Sequence, residues 1–82
     1  MIGNFEKKFA REAVDNQIEL LKYFLPAIKN ANDRLYFYML TNNTIFYMYL
    51  ADTITKEESN IAIEKCKTIY NDYLKSIKEG NK

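Results

Sequence analysis

The 82-residue chain has no histidine and no tryptophan, one cysteine, one proline and two glycines. Without histidine the commonest general base and metal ligand is missing, and a Cys-His catalytic pair is excluded. The lone Cys66 can form neither an internal disulfide nor a structural zinc site, and it gives no sign of an oxidising compartment. Gly3 and Gly80 both lie near the ends, so no glycine-rich phosphate loop exists. Charge of one sign is lacking too: twelve Lys and Arg against eleven Asp and Glu give a net charge of +1. Unspecific nucleic-acid binding needs a basic surface to release counterions from phosphates, and this balance does not supply one. No apolar run follows the lysines of MIGNFEKKFAREAVDNQ, so no signal peptide is expected, and Gly3 sits one position late for myristoylation. The expected location is therefore the cytoplasm. Asn42-Asn43-Thr44 matches a glycosylation sequon, but with no secretory signal it reads as a chance match.

What is present is globular. Apolar residues make up 48% of the chain and charged residues 28%, well away from the composition of disorder. One domain spanning 1–82 is expected, near the lower end of what folds alone, with a core that must be efficient or shared with a partner. Ala10, Val14, Ile18, Leu21, Leu25 and Ile28 step by three or four, and Phe9, Ala13, Leu20 and Phe24 widen the stripe, which predicts an amphipathic helix from Asn4. Its outer face pairs Lys8 with Glu12 and Arg11 with Asp15, opposite charges four apart. Pro26 should kink or end this helix near Phe24, and it suits the first turn of a short second piece through Asn30. KNANDR, 29–34, reads as a turn with capping side chains. A second element then runs from about Asp33 to about Thr53. Thr55 followed by Glu58 fits a capping box and predicts the start of a third helix. That helix carries Ala62, Cys66, Ile69, Tyr73 and Ile77 on one stripe, flanked by Tyr70 and Leu74, with Gly80 as its C-terminal cap. Asn81 and Lys82 are expected to fray.

The second element holds LYFYMLTNNTIFYMYL, residues 35–50, nearly a mirror image about Asn42 and Asn43, with six of the chain's twelve aromatic residues and no charge. As a helix it is apolar nearly all round, which suits a central position with neighbours on two or more sides. The alternative is an α-β-β-α fold in which LYFYML and IFYMYL form a hairpin across Asn42-Asn43. Its strands lack the alternation that fixes register, and a lone two-stranded sheet is marginal, so the helix is preferred. Seventeen uncharged residues separate Arg34 from Asp52, yet TNNT at their midpoint argues against a membrane span.

The chemistry-bearing residues are few. Cys66 lies on an apolar stripe and reads as a packed, inert thiol, although Lys65 and Lys67 would activate it if they were near in space. Asp15 with Glu19 reads as a solvated face, and Glu57-Glu58 as a first helical turn favoured by the macrodipole. No catalytic residue, metal or cofactor is expected. ITKEESNIAIEKC has the rhythm of a helix-turn-helix, but its reading helix would present Glu57 and Glu58 to phosphates. A nucleic-acid regulator of that type is the runner-up. Seven tyrosines are too many for a small core to bury with every hydroxyl satisfied. Tyr36, Tyr38, Met39, Tyr47, Met48 and Tyr49 are therefore the candidate contact patch, of the kind protein interfaces enrich. The expected class is an all-helical bundle of three main helices. Its expected role is a non-enzymatic interaction module that binds a protein partner or itself as a homodimer. Size and the missing catalytic set suit an adaptor or inhibitor, including a phage or plasmid product aimed at a host complex.

Overall fold

The computed structural model describes residues 4–80, with side chains described for residues 8–78. Three helices pack side by side: α1 spans Asn4–Phe24, α2 Ala31–Leu50 and α3 Lys56–Gly80. No strand occurs among the described residues. Helix α3 runs through Gly80, its last described residue, and the expected fraying of Asn81 and Lys82 lies outside the described residues. The bundle measures 52 × 17 × 17 Å with a radius of gyration of 14.2 Å, above the roughly 12 Å of a compact chain this long. It is a rod one layer of side chains thick at its core.

Each boundary has a local cause. Pro26 ends α1 rather than kinking it, and Leu25–Ala27 form a 3₁₀ turn that buries Leu25. Asn30 then caps α2 with its side-chain oxygen, which accepts from the amides of Asn32 at 2.8 Å and Asp33 at 3.3 Å, satisfying donors that have no intrahelical partner. Arg34 ties this turn down: its guanidinium donates to the carbonyls of Ile28 at 2.8 Å and Lys29 at 3.0 Å. The same group lies over the Tyr73 ring of α3 at 5.7 Å. At the other end of α2, Thr53 N–H bonds Met48 O at 2.9 Å and Asp52 N–H bonds Tyr49 O at 3.0 Å. That is the Schellman arrangement, in which two late carbonyls are satisfied by the residues after the cap. Asp52 takes the left-handed conformation it requires, at φ 63°. Thr55 and Glu58 close the capping box of α3, with Glu58 N–H to Thr55 Oγ1 at 3.0 Å and Thr55 N–H to Glu58 Oε1 at 2.9 Å.

The core is small. Ala10, Val14, Leu21 and Leu25 meet Ile45 of α2, Ile54 of the connecting turn, and Ala62 and Cys66 of α3. Full burial of a Leu or Ile contributes about 1.5–3 kcal/mol, so a few such residues carry most of the hydrophobic stabilisation.

Three expectations need correction. Residues 35–50 are continuous helix, so the α-β-β-α hairpin alternative is not formed. A helix satisfies its own backbone, whereas a lone ribbon would leave an unpaired row on each edge. Second, α2 is not enclosed: it packs on α1 and α3 from one side only, and only Thr41 and Ile45 are buried. Third, Arg11 does not pair along its own helix with Asp15. Its Nε donates to Glu58 Oε2 at 2.6 Å, in the one ion pair among the described residues, which links α1 to the start of α3.

Candidate interaction surface

The two sides of α2 differ sharply. Its inner side presents Arg34, Phe37, Tyr38, Thr41, Ile45 and Met48, the positions three or four apart that meet α1 and α3. Thr41 is buried without cost because its hydroxyl donates to Phe37 O at 2.9 Å. Tyr38 stacks on Tyr70 of α3 with ring centroids 4.4 Å apart and planes 4° from parallel. The outer side presents Leu35, Tyr36, Met39, Leu40, Phe46, Tyr47 and Leu50, each between 44% and 69% exposed. Asn43 lies among them, also exposed.

The six residues expected to form a contact patch therefore separate. Tyr36, Met39 and Tyr47 face outward. Tyr38, Met48 and Tyr49 are half-buried and pack against the core, and the Tyr49 ring leans on Phe46 at 5.9 Å. Leu35, Leu40, Phe46 and Leu50 belong to the outward face and were not singled out in the sequence. The signal that marks them is spacing: 36, 39 or 40, 43, 46 or 47 and 50 recur by three and four, opposite the row through 41 and 45. The apolar surface continues beyond α2. Phe9, Ala13, Tyr47, Met48 and Ala51 line a shallow apolar groove between α1 and α2, and Phe9 is 66% exposed.

Of the seven tyrosines, Tyr23, Tyr36 and Tyr47 are exposed, while Tyr38, Tyr49, Tyr70 and Tyr73 are half-buried. Exposure of some was the arithmetic consequence of so many in so thin a core.

The other sides are charged. A groove between α1 and α3 carries Glu19, Lys22, Glu64, Lys65 and Asp72 around Ile18 and Ile61, so both signs alternate along it. Glu58 is held below its ordinary carboxylate range, first by the Thr55 backbone amide and then by Arg11, against a smaller opposing effect of burial. Cys66 is fully buried, and desolvation pushes its thiol up to about 11. Protonated at neutral pH and walled off from solvent, it is a poor nucleophile. Among the described residues no three of His, Cys, Asp and Glu come together as a metal would need. Although residues 35–51 carry no charge, no helix among the described residues is long and apolar enough to cross a membrane.

Comparison with protein-family models, with curated proteins and with solved structures finds no match for this chain.

Proposed function

We propose that the protein acts by stoichiometric binding, as a non-enzymatic interaction module whose contact surface is the outer face of α2. One observation carries this: seven large apolar side chains stand exposed on one face of one helix, with no charge between Arg34 and Asp52. Scattered exposed apolar residues are ordinary, but a contiguous patch of several hundred Å² is what binding surfaces show. Its composition of Tyr, Phe, Met and Leu is that of an interface centre, where charge is depleted. An adaptor or inhibitor role follows from such a surface on a chain whose one thiol is buried.

The test is capture by the tagged full-length protein from its native cell, compared across variants. Tyr36→Glu and Tyr47→Glu should lose the partner while helicity by circular dichroism stays unchanged. Lys67→Glu, on the exposed side of α3, should keep it. Retention that ignores the α2 substitutions would remove this face from the mechanism. An activity abolished by Cys66→Ala, or by amides at Asp15 and Glu19, would instead point to an enzyme.

A further inference from the structure

We infer that the occupant of the α2 face is a second copy of this chain, bound antiparallel about a two-fold axis that passes beside Asn43. The inference rests on the reading of that face as a contact surface and names what covers it. In an isologous interface one patch must complement itself, so each contact occurs twice. The exposed positions are distributed evenly about Asn43: along the helix axis Tyr36 falls level with Leu50 of the second copy, Met39 with Tyr47, and Leu40 with Phe46. All six are exposed in the single chain. Each pairing sets one aromatic ring against one aliphatic side chain, the large-against-small alternation that lets two faces interdigitate. A parallel pairing would instead set Tyr36 on Tyr36 and Tyr47 on Tyr47. It would also align the two helix dipoles, which the antiparallel arrangement opposes.

Charge agrees. On a self-binding face a side chain at the axis meets its own copy and every other one meets the position equidistant from the axis, so a face without charge meets itself without repulsion. The α2 face carries no charge from Leu35 to Leu50, whereas the α1–α3 side carries both signs. Asn43 at the axis can donate to and accept from its counterpart, and a single polar residue at such a position fixes register. Area agrees as well. Half-exposed side chains of these types present on the order of 700 Å² per copy, close to the ~800 Å² per partner of a standard stable interface. The chain's accessible surface is 6300 Å², well above the roughly 5,100 Å² expected of a folded monomer of its mass. A rod that exposes this excess has the surface to spare for a partner.

The test uses the full-length protein and light scattering at tens of micromolar. The wild type should give twice the 9.7 kDa chain mass, and its melting temperature should rise with concentration. Met39→Lys and Tyr47→Glu should each weaken self-association by about thirtyfold or more, with helicity retained because both sites are exposed. Mixed in equal amounts, the two variants should form a heterodimer, since the new ammonium then faces the new carboxylate at one end while the native pair remains at the other. Asn43→Cys should crosslink to itself under mild oxidation. A wild type that stays monomeric at a hundred micromolar would overturn the inference. So would variants that remain apart on mixing while the wild type is dimeric, because the register would then be wrong. A monomer that still captures a different protein through Tyr47 would sink the homodimer alone and leave the interaction module standing. If neither self-association nor capture depends on the face, both fall.

Discussion

Ile45 and Tyr47 are two residues apart on α2, yet one is fully buried and the other 69% exposed. Around Ile45 the side chains of α1, α3 and the 51–55 turn converge; around Tyr47 there is a shallow groove and solvent. Both faces are built from the same residue types, so hydrophobicity does not separate them. What separates them is whether another element of the same chain arrives. The inner face is spent on folding, and the outer face remains free for association.

Substitutions can break or sharpen that contrast. The largest effect belongs to the inner face: Ile45→Ala should destabilise by about 2–5 kcal/mol, a large share of the roughly 4–12 kcal/mol available to a domain of this length. Denaturant unfolding would measure it, and a loss under ~1 kcal/mol would mean the inner face is poorly packed. Cys66→Ser, in the same core, should cost about 1–3 kcal/mol for an unpartnered hydroxyl. In the native wild type the thiol should resist alkylation until the chain unfolds, which mass spectrometry of iodoacetamide-treated protein would show.

The next effect tests the turn that delivers α3 to the inner face. Thr55→Ala should cost about 1 kcal/mol through loss of the cap. Glu58 adds a pH dependence whose sign is fixed. Its pKa is lowered in the folded state, so its contribution is complete above the ordinary carboxylate range. It is lost as the pH falls through the lowered value. Glu58→Gln should therefore flatten part of the acid limb of the stability profile, and an unchanged limb would show that the capping box contributes nothing to it. Asp52→Gly should act in the opposite direction and stabilise by about 0.5–1 kcal/mol, because glycine takes positive φ without a Cβ penalty.

The smallest effect belongs to the outer face. Tyr36→Ala, studied at a concentration too low for association, should change monomer stability by no more than about 0.5 kcal/mol. A loss comparable to that at Ile45 would erase the distinction between the two faces.

Much of this architecture was legible before any coordinates. The stripe through Ala10, Val14 and Leu21, the stop at Pro26, the acceptors of KNANDR and the Thr55–Glu58 box all act over one or two turns, so the chain declares them locally. The mirror-like stretch 35–50 was harder. Strand-favouring Tyr, Phe and Ile competed with helical context, and no alternation existed to decide. Helix won because its backbone is satisfied within the segment, and Thr41 and Thr44 return their hydroxyls to Phe37 O and Leu40 O at 2.9 Å.

The candidate site was only half legible, for a related reason. A helix apolar all round has a period but no phase, so Tyr38 and Tyr36 look equivalent in the sequence. Tyr38 turned inward because Tyr70 of α3 was there to stack on it, and Tyr36 stayed outside because nothing was. By itself, then, the sequence determined three helices, the break at Pro26, the Thr55–Glu58 cap, and the absence of charge from Leu35 to Ala51, since these follow from residue type and near neighbours. Only the packing of α1 and α3 chose which side of α2 to cover. That choice depends on contacts between residues far apart in the chain, and it left Tyr36, Met39 and Tyr47 facing out.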